Sequence, residues 1–295
     1  MQAAQPAAPD LERPVHEPII RARDVSVQFR PNRKTTIRAV TDVSIDVTPR
    51  STIGLIGESG SGKSTLARAL LGLVPVSSGT VEWDGQDISR LSRSDMRRFR
   101  STAQMVFQDP HSSLDPRRRI LTSVTEPLNV LSIGAKSERA DRVEQILTRV
   151  GLTMDQAQRY PHQLSGGQKQ RACIARALVV GPQILVCDES VAALDVVLQA
   201  EILNLLSDLQ DQLDLALVFI SHDLSVVAHI SDRMHVMYLG ETVEEGTTEQ
   251  ITAHPQHAYT EKLLASQLTV HSPRGAGRSS ASSHDGPTTH EEERS

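Results

Sequence analysis

Eight residues, Gly57-Glu58-Ser59-Gly60-Ser61-Gly62-Lys63-Ser64, follow the spacing G-x-x-x-x-G-K-S. That pattern suits the gripping of phosphate. Gly57, Gly60 and Gly62 let backbone N–H groups come close to phosphate oxygens, and a helix that starts where the loop ends adds a favourable dipole. Lys63 would neutralise charge on the β- and γ-phosphates and Ser64 would place its hydroxyl on Mg²⁺, with Thr65 next in line. The whole segment from Gly57 to Thr65 is therefore the candidate ATP-binding loop. The order around it is what the motif requires: Thr52–Ile56 is a short apolar run that suits a strand, and Lys63–Gly72 has helical spacing with Gly72 near its end. A mobile Gly/Ser loop would need no such order.

Two further segments complete the chemistry. Ile184–Cys187 is an apolar run that ends in Asp188 and Glu189. Asp188 would hold Mg²⁺, directly or through water, and Glu189 would polarise an attacking water. Alone, the pair would be a strand followed by an acidic turn; in a chain with a P-loop, the water-activating reading is preferred. Leu164-Ser165-Gly166-Gly167-Gln168 opens a helix. Ser165 can cap it and the two glycines again allow close approach by phosphate. Neither phosphate-handling segment is complete alone, and together they predict ATP binding and hydrolysis between two subunits.

These residues need a scaffold that alternates strands and helices. Ile19–Phe29 and Ile37–Val47 alternate apolar and polar residues, as half-buried strands do, while Met105–Phe107, Ile184–Cys187 and Leu217–Ile220 suit strands buried on both faces. Residues 111–180 read mostly helical, most clearly at Glu138–Val150 and Gly167–Val180; Val196–Leu213 and Leu224–Ile230 read as later helices. The pattern predicts an α/β domain with a largely parallel core sheet. The P-loop does not repeat, which predicts one nucleotide-binding unit. Residues 1–18, rich in Ala, Gln and Pro, read as a disordered leader, and 269–295 as a disordered tail.

Composition bounds the remaining possibilities. The 295 residues carry a formal charge of -5, which offers no reason to expect a nucleic-acid partner. Aromatic residues are only 3%, so aliphatic side chains must fill the core. Cys173 and Cys187 are too few for a disulfide framework and read as buried structural thiols in a reducing compartment. No segment reaches the roughly eighteen apolar residues of a spanning helix. Leu66–Val76 comes closest, but it is short and holds Arg68. The basic runs Arg90–Arg100 and Arg117–Arg119 read as solvated faces in preference to a membrane-facing surface, and His254 and His257 as surface residues in preference to metal ligands.

The order of motifs resembles the ATP-binding subunit of an ABC transporter. The likeness runs from about Ile19 to Leu268 and takes in the P-loop, Gln108 in Met105-Val106-Phe107-Gln108, LSGGQ at 164–168, Asp188-Glu189, Ala193-Leu194-Asp195 and His222 in Ile220-Ser221-His222-Asp223. It implies a P-loop NTPase fold of the ABC ATPase kind: a mostly parallel core sheet, an N-terminal antiparallel β part, an inserted helical subdomain at about 111–180 and a family C-terminal segment at about 247–268. It also implies roles. Gln108 would touch Mg²⁺ and report nucleotide state to a membrane partner; His222 would contact the γ-phosphate and help position Glu189. Ser165, Gly166, Gly167 and Gln168 would embrace ATP held by the opposite subunit, with Asp195 at the same interface. Phe29 would stack on adenine, or else is a core aromatic on a strand face. The implied partners are a second ATPase subunit, identical or homologous, two membrane permeases and, indirectly, a solute-binding protein, with the chain peripheral on the cytoplasmic face of the membrane.

A narrower likeness concerns cargo. Asp188-Glu189-Ser190-Val191-Ala192-Ala193-Leu194-Asp195 and His254-Pro255-Gln256-His257-Ala258-Tyr259-Thr260 are similar to the oligopeptide/dipeptide/nickel importer branch, although Ala258 stands where that branch usually has proline. Peptide import is the leading expectation. Nickel or glutathione import are alternatives; a soluble ABC ATPase of translation or DNA repair and a small-molecule P-loop kinase fit less well.

Overall fold

A computed structural model describes residues 17–32, 35–192 and 194–270. The expected leader and tail therefore lie outside the described residues, apart from Glu17 and Pro18 at one end and the helical residues 269 and 270 at the other, and so does Ala193.

Two sheets form the frame. The first joins β1 (Ile20–Asn32), β2 (Thr35–Val47), β4 (Ser78–Trp83) and β5 (Gln86–Asp87) in the order β2-β1-β4-β5, antiparallel throughout. The second joins β3 (Thr52–Ile56), β6 (Ala103–Val106), β7 (Ile184–Asp188), β8 (Ala216–Ser221), β9 (Arg233–Tyr238) and β10 (Glu241–Thr247) in the order β10-β9-β3-β8-β7-β6. Its strands are parallel except for the β9–β10 hairpin. Every residue of β3, β7 and β8 is buried, which is why these strands are continuous apolar runs and not alternating ones.

Helices supply the other layers: α1 (Lys63–Leu70), α2 (Arg93–Thr102), α3 (Pro110–Ser113), α4 (Ile120–Val130), α5 (Lys136–Arg149), α6 (Met154–Ala157), α7 (Gly166–Leu178), α8 (Val196–Leu213), α9 (Leu224–Ile230), α10 (Thr248–Ala253) and α11 (Ala258–Val270). The run α3–α7 falls between β6 and β7, so an inserted helical part is present, as expected. Arg176 on α7 ties it together: its guanidinium donates to the Ser113 carbonyl at 2.7 Å and to Glu126 at 3.2 Å.

Side chains of the central strands alternate between two apolar cores. Leu185, Cys187, Leu217 and Phe219 face the core shared with the helical insert. Val186, Val218 and Ile220 face the core shared with the antiparallel sheet and α1. The structure differs from the sequence reading in detail. The strand expected at Met105–Phe107 is Ala103–Val106, and β4, β9, β10, α2 and α10 were not foreseen as separate elements.

Candidate functional site

The register of the parallel sheet assembles the site. Ile56 at the end of β3 is level with Ser221 at the end of β8, Asp188 on β7 with Ile220 on β8, and Val106 on β6 with Cys187. Four strand ends thus deliver the loop from Gly57, the Asp188-Glu189 pair, His222 and Gln108 to one edge. Ligands of open α/β sheets bind at that edge, beyond the carboxyl ends of the strands.

The loop has a fixed shape. Gly57 and Gly62 have φ of 149° and 103°, and a Cβ on either would stand about 2 Å from a backbone carbonyl, that of Met237 or Ala39 respectively, so no other residue fits. The Ser61 N–H donates to the Glu58 carbonyl at 3.2 Å and the Gly240 N–H to the Ser61 carbonyl at 3.1 Å. Lys63 opens α1 and turns back: its ammonium donates to the carbonyls of Gly57 and Glu58, both at 2.8 Å, and to Ser61 Oγ at 3.3 Å. All three ammonium protons have partners, so a phosphate binding here would have to exchange its own oxygens for those of the loop. Burial pulls the Lys63 pKa down against the opposing pull of Glu189, Asp188 and Glu58.

The acidic side is equally ordered. Ser64 Oγ donates to Asp188 Oδ1 at 2.6 Å, and Arg68, one turn along α1, lies 3.6 Å from the other oxygen. Asp188 is 2% exposed, and burial pushes its carboxyl above the usual range against the pull of Ser64, Arg68 and Lys63. Glu189 has φ 45°, a left-handed conformation for a non-glycine residue, while its N–H donates to the Ile220 carbonyl at 3.0 Å. The turn leaves its carboxylate between Gln108, whose amide donates to it at 2.5 Å, and His222, whose Nδ1 lies 3.7 Å away. A carboxylate oriented by an amide and an imidazole can orient water and take its proton.

The segment at 164–168 forms a separate group. Ser165 Oγ accepts from the Gln168 N–H at 3.3 Å and Gln168 Oε1 accepts from the Ser165 N–H at 3.0 Å, a capping box that leaves the start of α7 facing outward. Asp195 likewise caps α8, accepting from Leu198 N–H at 3.0 Å. The two helix starts touch, since Gly167 packs against Leu198. Phe29 stands on β1 opposite Ile37 on β2; the two are 41% and 51% exposed. The alternative of a core aromatic is thereby corrected: the bulged end of β1 carries Phe29 beyond the buried part of its sheet.

Comparison with known proteins decides the family. The profile of the ABC transporter family matches residues 40–192. A protein of Brucella abortus (strain 2308), named as a peptide import ATP-binding protein, is 48% identical over 259 residues, 87% of this chain and 77% of the relative.

The chain belongs to the ABC transporter family.

A second relative, the glutathione import ATP-binding protein GsiA of Escherichia coli O6:H1, is 48% identical over 255 residues, 84% of this chain but 41% of that longer protein. Among solved structures, the dimeric post-hydrolysis state of the ATP-binding cassette MJ0796 with ADP and Pi has a TM-score of 0.70 at 29% identity, covering 78% of this chain and 98% of that one. The ABC cassette fold and ATPase activity follow. Among the described residues, no helix of the chain is long and apolar enough to cross a membrane.

Two contacts of this ABC ATPase were not foreseen. Arg68, noted in the sequence only as a charge, faces Asp188. Tyr259, noted only as part of a branch-like segment, accepts a hydrogen bond from the Glu58 N–H at 3.0 Å. The Tyr259–Glu58 contact spans 201 positions, which no local pattern reveals.

Proposed function

We propose that this chain powers an ABC importer for oligopeptides or dipeptides, acting as one of two ATPase subunits that close around ATP. The observation that carries the reading is the Gln108–Glu189–His222 group set beside the Ser64–Asp188 contact at the mouth of the P-loop. The loop at residues 57–65 binds the phosphates through its backbone N–H groups beyond Glu58 and through Lys63, and Phe29, exposed on β1, stacks on adenine. Ser64 and Asp188 supply hard oxygen donors of the kind Mg²⁺ prefers, with Gln108 next to them; these residues would hold the ion, which when bound offsets phosphate charge. Glu189 orients the water for in-line attack and accepts its proton, and His222 holds Glu189 and meets the γ-phosphate.

The outward starts of α7 and α8 support a two-subunit site, because Ser165, Gly166 and Asp195 are exposed and free to face a second chain's nucleotide. The second ATPase is identical or homologous, two permeases receive the motion, and a solute-binding protein delivers cargo, with this chain on the cytoplasmic face of the membrane. Peptide cargo rests on the 48% identity to the Brucella relative, and glutathione, itself a tripeptide, falls in the same chemical class. The expected one-domain layout is residues 19–268, with the helical subdomain at 111–180 and the C-terminal segment at 247–268.

The test is Glu189→Gln in the assembled transporter. The amide keeps the shape but loses the charge that accepts the proton. ATP should still bind, turnover should fall by roughly two to four orders of magnitude, and the complex should accumulate closed on ATP. Hydrolysis at the wild-type rate would remove Glu189 from the role.

A further inference from the structure

We infer that Tyr259 is a positioning residue for ATP binding: its hydroxyl, brought from α11, holds the backbone amide of Glu58 and so keeps the phosphate-binding loop in shape. The inference deepens the proposed function, since it rests on residues 57–65 being the ATP loop.

Four features of the structure support this role. First, the backbone of Glu58 is gripped on both sides of its Cα: its N–H donates to Tyr259 Oη at 3.0 Å, while its carbonyl accepts from Ser61 N–H at 3.2 Å and from Lys63 Nζ at 2.8 Å. Second, the Lys63 grip is the one that phosphate removes, because the same ammonium must turn to the ligand. The Tyr259 contact does not use Lys63, so it remains when the loop is loaded. Third, Tyr259 is itself firmly placed. Its ring lies 4.3 Å from that of Tyr238, the residue after Met237 whose carbonyl crowds Gly57. Fourth, the segment leading into α11 is anchored to β10: the N–H groups of Gln256 and His257 donate to the two oxygens of Glu244 at 2.7 and 3.0 Å. The hydroxyl is therefore delivered by a rigid strut. Burial raises the Tyr259 pKa above its ordinary value, so the phenol stays neutral. Holding a loop in its binding shape before the ligand arrives improves affinity, because less order must be imposed on binding.

Tyr259→Phe keeps the ring and deletes the hydroxyl. Affinity of the full chain for ATP is measured by competition against a fluorescent ATP analogue, and KM and kcat by ATPase assay of the assembled transporter. The expected result is ATP binding weaker by roughly three- to tenfold, the equivalent of one ordinary hydrogen bond. KM should rise in step, with kcat within about twofold of wild type. Glu58→Pro removes the N–H donor, and in that background Tyr259→Phe should cost nothing further. Unchanged affinity in Tyr259→Phe overturns the inference. So does a fall in kcat accompanied by a lower melting temperature, which marks a merely structural residue, or a full second loss in the Glu58→Pro background, which places the effect of the hydroxyl elsewhere. If the wild-type chain itself takes up no ATP, the P-loop reading falls and this inference with it; wild-type binding with an indifferent Tyr259→Phe removes the inference alone.

Discussion

Asp188 is a charge placed where charge is unwelcome. Its carboxylate is 2% exposed, and burial raises its pKa above that of an open chain, more than Ser64 and Arg68 can restore. An acid whose folded pKa is raised lends stability to the fold below its unfolded pKa, near 3.8, and that contribution is lost as pH rises through the folded value. At neutral pH the nucleotide-free fold therefore carries an unfavourable anion that the proposed role of Asp188 in ATP hydrolysis requires. Asp188→Asn keeps an oxygen to accept from Ser64 and removes the anion. We expect it to abolish ATP turnover yet raise the melting temperature at pH 7, by about 2–4 °C for each kcal/mol recovered. The difference from wild type should narrow as the pH is lowered and the native carboxyl gains its proton. Thermal melts over a series of falling pH values check this, and an Asp188→Asn chain that melts below wild type at pH 7 would sink it. Lys63 is the cationic counterpart, since burial lowers its pKa.

Among the elements, α7 bears most on the proposed two-chain site. Its capping box closes the first turn with Ser165 and Gln168, so the remaining N–H groups and the helix dipole point outward. Ser165→Arg replaces the cap with a bulky cation. Loss of the cap should cost the helix about 1 kcal/mol. ATP should still bind at residues 57–64 of the same chain, while ATP-dependent pairing with the second ATPase should fail. Measuring the two separately in the complex decides it: binding lost with pairing intact would contradict a shared site.

Elements that were legible in sequence share a cause. β3, β7 and β8 are unbroken apolar runs, and α1 and α7 start at glycine-rich loops whose chemistry names them. Elements that were not legible lack that contrast. α2 is nearly all polar and buries only Phe99; β9 interrupts its apolar run with Arg233 and His235; β10 holds three glutamates on a strand at the edge of the sheet. The site shows the same division. Loop, carboxylates and histidine could be read because each is contiguous with its strand, whereas the Tyr259–Glu58 contact depends on where two distant segments meet.

At the scale of the molecule, the central sheet links two cores through alternate residues of the same strands. Phe219 lies wholly in the core shared with the helical insert, and Trp83, the sole tryptophan, lies in the other, 5.5 Å from Phe99. Because Val218 and Ile220 flank Phe219 and face the Trp83 side, opening one core should open both. Phe219→Ala should destabilise the chain by about 3–5 kcal/mol. Its denaturant midpoint should fall equally by Trp83 fluorescence and by far-ultraviolet dichroism. A Trp83 transition that stays at the wild-type midpoint would show that the two cores unfold separately.

The two cysteines carry a consequence of that same burial. Cys173 sits on α7 in the helical insert and Cys187 on β7 beside Asp188, both with thiols pushed up to about 12 by the apolar surroundings. At neutral pH neither is a nucleophile while the fold is closed. A thiol-specific label can then attach only during an opening, and the labelling rate at each position becomes a stopwatch on that part of the molecule. Cys187 directly precedes Asp188, so its stopwatch should slow whenever ATP occupies the proposed phosphate site, because a bound ligand makes each opening rarer in proportion to its affinity.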